Sequence, residues 1–253
     1  MLSLKRATIL GVVLLITLAG VSSSAQVNTE SMRMQREKPG LSGNLGVSTE
    51  INKGNSDLVQ FDIKPSLIWR AGRHQTFSIN EISFASSDGD KITNKGFSHL
   101  RYNFRWKKRV IPELFAQAQY DKSRDLSERY LGGGGMRFIA TERENESLAL
   151  GLSVMYEREE LSSGEITELA RNSDYISVEF VSKDRLSFSS TVYVQPALSD
   201  LGNVRVLCQM QVAVTVVRGL SLTTELDYHY DSEPPENVKE YDLGLKNGLQ
   251  LSF

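Results

Sequence analysis

The sequence predicts an all-β fold: a transmembrane antiparallel β-barrel of about 12 strands with short periplasmic turns and longer extracellular loops. Three observations predict it. Two-faced segments of strand length fill most of the chain, they recur with a period of about 35 residues, and aromatic residues gather at their ends. Outer-membrane barrels show such alternation because only every second residue of a strand faces lipid. A soluble β-sandwich is the main alternative, since its two sheets also bury one face of each strand.

The first residues of the chain have the features of a secretory signal. Two basic residues precede an apolar run over residues 7–21, and three small residues then end at Ala25. We expect a signal peptide over residues 1–25, cleaved after Ala25. A retained membrane helix is the alternative, but the apolar run is shorter than the roughly 20 residues that span a bilayer. Residues 26–40 are expected to form a flexible periplasmic N-terminal lead, and residues 41–253 the outer-membrane barrel.

Composition and charge limit the partners. Mean hydropathy is −0.28, a value that suits a barrel because half of each strand is polar. Loss of the expected signal removes two of the 29 basic residues, so 27 remain against 31 acidic ones. This negative balance argues against nucleic acid as a partner. The sequence has one cysteine, Cys208, so an internal disulfide cannot form. We expect one domain, no cofactor and no metal, in a monomer surrounded by outer-membrane lipid and lipopolysaccharide.

Short charged or Gly-containing turns divide the chain into six predicted hairpins. The turns centre near residues 72, 108, 143, 184 and 218, at spacings of 34–41 residues. Each interval holds two alternating runs and one polar connection, which is the pattern of a hairpin. The short turns are assigned to the periplasm because bacterial outer-membrane barrels have that asymmetry. The longer connections are expected at residues 52–57, 86–95, 121–128, 159–173, 199–203 and 231–239.

The last predicted strand shows the alternation most clearly. From Tyr241 to Phe253 the odd-numbered residues are apolar except for Asn247, whereas the even-numbered residues are polar or small. We expect this strand to close the barrel, with Leu249, Leu251 and Phe253 as the C-terminal signal that the barrel-assembly machinery binds. The predicted strands exceed the about five or six residues usual in soluble sheets and match the roughly 9–11 residues of a tilted spanning strand.

Aromatic residues lie at two heights along the predicted strands. Trp69 and Trp106 are on the apolar face immediately before short turns. Interfacial girdles of a membrane barrel place aromatic rings in this way, whereas a soluble sandwich has no reason to do so. The tyrosines on or near the apolar face beside the long loops are Tyr120, Tyr130, Tyr156, Tyr228 and Tyr230.

Three segments depart from regular alternation. Pro65 lies within the second strand and cannot donate a ladder hydrogen bond, so we expect a bulge or local disruption there. Phe77 and Ile79 have the opposite parity to the apolar residues that follow them, which predicts a bulge near Asn80. The Gly132–Gly135 run lies inside a strand with no helix after it, so it indicates close packing or a sharp bend rather than a phosphate-binding loop.

Three loop segments resemble a known family. They are Lys53-Gly54-Asn55-Ser56, Pro196-Ala197-Leu198-Ser199-Asp200 and Tyr230-Asp231-Ser232-Glu233-Pro234-Pro235. In these segments the chain is similar to the YdiY-like salt-induced outer-membrane proteins, a domain-of-unknown-function family of outer-membrane β-barrels. The resemblance extends from about Leu41 to Phe253, and the Ser-Glu-Pro-Pro loop is its most specific element. It implies an outer-membrane barrel and supplies no catalytic residues.

The inward faces of the predicted strands carry many charged residues. A lumen packed with ion pairs is one interpretation, because buried charges must be paired. A narrow polar pore is the other, because rings of charge set the selectivity of a channel. Twelve strands lie between small filled barrels and open porins of about 16 strands, so the strand number leaves both open. The candidate binding residues are Asp62, Lys64, His99, Arg101, Arg105, Arg129, Arg137, Glu179, Arg205, Glu225, Asp227, Asp242 and Lys246.

The sequence therefore favours a non-enzymatic barrel, either structural or a narrow polar channel, that serves the cell envelope under osmotic or ionic stress. The first alternative is an outer-membrane hydrolase. His229 and Asp227 share one strand face near the outer rim and form the one catalytic constellation, without an assignable nucleophile. The second alternative is a surface receptor that binds through the long acidic loops. These loops match no ordered calcium site, so solvated charge is the favoured interpretation.

Overall fold

The computed structural model describes residues 39–52, 58–87, 90–122, 125–182, 185–235 and 238–253, so the expected signal peptide lies outside the described residues. In these ranges no helix is long and apolar enough to cross a membrane. The strands are β1 (Gly40–Asn52), β2 (Leu58–Ala71), β3 (His74–Ser87), β4 (Asp90–Phe104), β5 (Val110–Asp121), β6 (Leu126–Arg143), β7 (Glu146–Leu161), β8 (Ile166–Asn172), β9 (Asp174–Ser182), β10 (Leu186–Pro196), β11 (Val204–Val217), β12 (Leu220–Asp231) and β13 (Tyr241–Ser252).

These strands form one closed antiparallel sheet. Neighbours in sequence pair around the barrel, and β13 returns to pair with β1 from Asn44 opposite Ser252 to Thr49 opposite Asn247. Gly43 and Phe253 exchange two further backbone hydrogen bonds of 3.0 Å at this seam. Closure pairs the last strand with the first, so the wall has no open sheet edge, as a bilayer requires because lipid offers no hydrogen-bonding groups. The role predicted for the last strand in closing the barrel is confirmed.

The short strand β8 continues β9 along the same neighbour. Both pair with β7 in one unchanged register, and between them the Ser173 N–H still donates to the Ser153 carbonyl at 2.8 Å. The two segments together therefore take one position in the barrel. The described residues thus form twelve positions around the wall, with β8 as an extra segment, and the predicted number of strands is confirmed.

The barrel has two unlike ends, which we call the turn side and the loop side. The turn side carries the short connections, such as Gly72-Arg73 between β2 and β3. On the loop side the connection predicted at 159–173 is wrong, because β7 continues to Leu161 and β8 begins at Ile166. A spanning strand needs roughly 9–11 residues, and β7 has 16. Residues 157–160 at its end are all charged, so the alternation of apolar and polar residues stops there although the ladder continues.

The bulge predicted near Asn80 is also wrong. β3 pairs with β4 in an unbroken register through this position, and the register shifts only after Ala85. Phe77 and Ile79 point into the lumen, where they form a buried apolar cluster with Ile68. Large apolar side chains of a strand can thus face the lumen as well as lipid. A change in which residues of β3 are apolar, odd-numbered or even-numbered, therefore does not by itself indicate a bulge.

The disruption predicted at Pro65 is confirmed in a mild form. The pairing of β2 with β3 omits Lys64 and Pro65 and resumes at Ser66 without a change of register. On its other side Pro65 stays opposite Leu45 of β1. A proline lacks the N–H that the ladder needs, so one neighbouring strand loses local pairing while the wall remains closed.

Large apolar side chains cover the outer face of the barrel. Trp69 and Trp106 are 48% and 52% exposed on the turn side, and Tyr130 and Tyr156 are 50% and 54% exposed on the loop side. An exposed apolar surface around a whole barrel needs a non-aqueous cover, which lipid provides. The polar exception, Asn247, accepts a hydrogen bond of 2.8 Å from the Thr224 hydroxyl on the neighbouring strand.

Candidate functional site in the barrel lumen

The lumen holds nearly all of the predicted charged residues. They lie on the inward faces of their strands, except Arg105, which follows β4 at the turn-side mouth. Most belong to three ionic clusters. The fully buried members of the predicted set are Asp62, His99, Arg101, Arg137, Glu179, Arg205 and Lys246, and the partly buried members are Lys64, Arg105, Arg129, Glu225, Asp227 and Asp242.

The loop-side cluster is centred on Arg205 of β11. Its Nε donates to Asp231 at 2.7 Å, its Nη1 to both carboxylate oxygens of Glu157 at 2.9 and 3.0 Å, and its Nη2 to Glu159 at 3.1 Å. Glu157 and Glu159 lie on β7, and two strand positions separate β7 from β11 in the sheet. The Arg205 side chain therefore reaches over the inner faces of two intervening strands. The cluster consists of Arg129, Glu157, Glu159, Arg171, Arg205 and Asp231.

The lysine cluster joins the opposite wall of the barrel. Lys246 Nζ lies 3.2 Å from Glu81 and 3.6 Å from Asp62. Lys64 Nζ lies 3.6 Å from Glu81 and donates a hydrogen bond to Glu225. Lys64 is on β2 and Glu225 on β12, with β1 and β13 between them. This cluster ties β2 and β3 to β12 and β13 across the barrel seam, with β1 between them.

The tyrosine cluster crosses the middle of the lumen. The Tyr175 hydroxyl donates to Glu113 at 2.7 Å and accepts from Arg137 Nη1 at 3.2 Å. Arg101 Nη1 lies 3.3 Å from the same Glu113 carboxylate. Glu113 is on β5 and Tyr175 on β9, so β6 and β7 lie between them. The Tyr175 ring packs over Gly151, where any Cβ would overlap it.

Local sequence explains how large lumenal side chains find room. Gly133 and Gly135 of β6 leave space that a Cβ would take from the Phe115 ring and from the β7 backbone, respectively. The close packing predicted for the Gly132–Gly135 run is therefore confirmed. The glycines of one strand accommodate the rings and backbone of its neighbours, which allows a crowded interior in a narrow barrel.

These clusters close the lumen. Asp62, Arg137 and Arg171 are only 0%, 2% and 1% exposed, although all three point away from lipid. A continuous column of water would leave such side chains accessible. The described residues therefore leave no continuous column of water along these side chains. Among the cavities that remain, one of about 160 Å³ lies on the turn side and one of about 40 Å³ on the loop side.

The described residues that line the loop-side cavity place no nucleophile beside the proposed catalytic pair. His229 lines the loop-side cavity, and Asp227 accepts a hydrogen bond of 3.3 Å from Gln209 Nε2. None of the described residues that line this cavity is a serine, threonine or cysteine. Nor does the described part of the chain contain a group of three or more His, Cys, Asp or Glu residues placed to hold a metal ion. The described lining of this cavity therefore offers no hydroxyl or thiol nucleophile, and the described part of the chain offers no such cluster to hold a metal that could activate water.

Sequence reasoning missed several lumenal charges. Glu159 and Arg171 were assigned to a loop, although Glu159 continues the inward parity of Glu157 and that signal could have identified it. Glu81 was obscured by the bulge expected at Asn80. With the missed residues, the inward set changes from seven cations and five acids to ten and eleven in the described chain, so the charges balance. The missed residues are Arg70, Glu81, Lys95, Glu113, Asp121, Glu157, Glu159, Arg171 and Asp231.

Solved outer-membrane porins have a similar fold. The structure of the NanC porin in a rhombohedral crystal form matches with a TM-score of 0.53 and 9% identity, over 85% of this chain and 100% of that chain. The KdgM porin matches with a TM-score of 0.50 and 9% identity, over 84% of this chain and 99% of that chain. Identities this low show the fold alone. A search of the curated proteins found no match.

The match to a family covers nearly the whole barrel. The model of one family aligns with residues 44–253, from within β1 to the residue that follows β13. This range includes every ionic cluster of the lumen. The chain therefore belongs to the family DUF481, described as a protein of unknown function.

Proposed function

We propose that this protein is a non-enzymatic outer-membrane barrel with a structural role in the cell envelope, and that its lumen is closed in the resting state. One observation carries the proposal: ion pairs with buried side chains fill the inner face of the barrel and join strands that are not neighbours in the sheet. Arg205 is 9% exposed as a side chain and still contacts three carboxylates on β7 and β12. Such contacts hold separate parts of the wall together and leave no room for a permanent column of water.

The resemblance to YdiY-like salt-induced proteins supports a role under osmotic or ionic stress. On this proposal a signal peptide over residues 1–25 directs export, and the turn side faces the periplasm. A barrel closed by internal ion pairs would reinforce the membrane without adding a leak for ions. The long loops then face the exterior, where outer-membrane lipopolysaccharide surrounds them.

A narrow polar channel that opens under ionic stress is the second candidate, and the chemistry of the lumen favours it. Well-packed apolar side chains of equal volume often stabilise a protein as much as a buried ion pair does, or more. Stability alone therefore gives no reason for so many charges, whereas a hydrated path needs them. Salt screens partly exposed pairs more than buried ones. Lys64 and Glu225, with side chains 14% and 21% exposed, form an ion pair that is more accessible to salt than the pairs of Arg205.

Planar-bilayer recording of the refolded protein distinguishes the two candidates. Between about 0.1 and 1 M salt the Debye length falls from ~10 to ~3 Å. A structural barrel is expected to be silent throughout, whereas a gated channel is expected to show discrete steps that become more frequent with salt. Glu225→Gln should raise that frequency, and the exposed control Glu146→Gln should not. A steady open conductance of the wild type at low salt would contradict the closed lumen.

The absence of enzymatic function can be tested with the outer-rim pair. Purified protein and its His229→Ala variant are expected to give the same background hydrolysis of phospholipid and peptide substrates. The reason is that no hydroxyl or thiol nucleophile lies among the described residues lining the cavity beside His229. Activity in the wild type that disappears in the variant would overturn this part of the proposal.

A further inference from the structure

The turn-side mouth of the lumen contains a cavity of about 160 Å³. One water molecule needs only about 10–15 Å³ by the same measure, so the cavity has room for several. That space can accommodate an anion of the size of phosphate or a small carboxylate. Among the residues that line the cavity are Arg70, Arg73, His74, Gln75, Asn103 and Arg105.

The fold brings Arg105 next to Arg70 and Arg73, which lie more than 30 residues earlier in the sequence. Arg70 lies at the end of β2 and Arg73 in the tight turn that follows, where Gly72 has a φ of +58° that favours glycine. The Arg105 backbone N–H donates to the Arg73 carbonyl at 2.8 Å, which fixes the end of β4 against this turn. Three guanidinium-bearing residues from two hairpins thus border one cavity.

The lining is cationic. It includes three arginines, and none of the described lining residues is acidic. Arg105 also lies 3.5 Å from Glu142, but their side chains are 36% and 41% exposed. Pairs this exposed are weak, so an anion can compete with Glu142 for the Arg105 guanidinium.

A neutral donor in the same lining has an unmet hydrogen bond. The Gln75 Nε2 atom is buried and has no acceptor among the described residues. A buried donor without a partner costs free energy, and an oxygen of a bound anion would supply the acceptor. This unmet donor is independent of the arginine charges and points to the same class of ligand.

We propose that the turn-side mouth binds a small oxyanion, with Arg70, Arg73 and Arg105 as the charged ligands and Gln75 as the neutral donor. The planar guanidinium fork matches both phosphate and carboxylate oxygens. The apolar cluster of Ile68, Phe77 and Ile79 lies deeper on the same strands, so the anion enters from the turn side and does not need an open lumen. The site therefore stands whether or not the barrel conducts.

Isothermal titration calorimetry of the refolded protein in zwitterionic detergent tests the site with inorganic phosphate and, separately, with acetate. A third arm compares thermal stability in nanodiscs with and without phosphatidylglycerol, which would supply a phosphate as a lipid headgroup. Saturable binding in any arm supports the site and identifies the source of the oxyanion. Absence of binding in all three arms overturns the proposal.

Variants distinguish a specific binding site from nonspecific attraction of the anion to positive charge at the rim. Arg70→Gln and Arg105→Gln are expected to weaken binding at least tenfold, because each removes a charge-assisted contact. Arg143→Gln is the matched control, an exposed turn-side arginine outside the cavity lining, and should bind like the wild type. Equal losses in Arg143→Gln and Arg105→Gln would refute the site.

Gln75→Leu keeps the proposal testable if an arginine variant fails to fold. The substitution removes the unmet donor, so thermal stability without anion should be unchanged or higher. The rise in the thermal midpoint that phosphate gives the wild type should become smaller, because ligand binding stabilises only the form that it binds. An undiminished rise in Gln75→Leu would contradict the part assigned to Gln75.

Discussion

Replacing Arg205 with methionine removes the central cation of the loop-side cluster while keeping a side chain of similar length. In the wild type its guanidinium contacts Asp231 at 2.7 Å, Glu157 at 2.9 Å and Glu159 at 3.1 Å. All four side chains are nearly buried. The variant therefore leaves three carboxylates in a space that water barely reaches.

The loss of stability in Arg205→Met depends on which partners the three carboxylates keep. Loss of one partner from a buried ion pair costs about 3–5 kcal/mol, because it leaves a charge uncompensated. Here two of the three carboxylates keep another arginine at 2.7 Å, Arg171 or Arg129. Asp231 keeps the Glu233 backbone N–H at 3.1 Å but no other arginine or lysine in the described chain. We therefore expect Arg205→Met to lower the free energy of unfolding by about 3 kcal/mol, the lower end of that range.

Urea titration in lipid vesicles, followed by tryptophan fluorescence, measures this loss. Arg143→Met is the control, because the pair of Arg143 with Glu146 has side chains 75% and 43% exposed and is expected to contribute at most about 1 kcal/mol. A loss for Arg205→Met no larger than for the control would refute the reasoning. It would mean that the loop-side cluster is hydrated and that the lumen is not closed there.

Three further variants test packing, the lipid face and assembly. Gly151→Ala should destabilise by about 1–3 kcal/mol in the same titration, because the new Cβ displaces the Tyr175 ring, and an unchanged midpoint would contradict the packing. Asn247→Leu should stabilise by about 1–2 kcal/mol in bilayers despite the loss of the Thr224 hydrogen bond, and destabilisation would argue against lipid at this position. Phe253→Ala should slow assembly in the presence of the barrel-assembly machinery more than refolding into pure lipid; equal slowing would assign the residue a packing role alone.

Much of the barrel wall was predictable because the alternation of apolar and polar residues is a short-range pattern. Lipid requires an apolar side chain at every second position, so the alternation in β13 or β11 is visible within a dozen residues. The turns near residues 72, 108 and 218 and the aromatic belts followed from the same short-range pattern. The limits of the loop-side strands were not predictable in this way, because a strand that extends into water has no reason to alternate.

The contents of the lumen depended on contacts that no short pattern records. Lys64 and Glu225 are 161 residues apart in sequence, yet they form a hydrogen bond across the seam. Phe77 and Ile79 are apolar and face inward, against the rule for the wall. The alternation of the chain by itself determined a closed membrane barrel with charges inside. Only the tertiary structure decided which charges meet and that the lumen is closed, because pairing across a barrel depends on strand register and on side-chain length around the whole circumference.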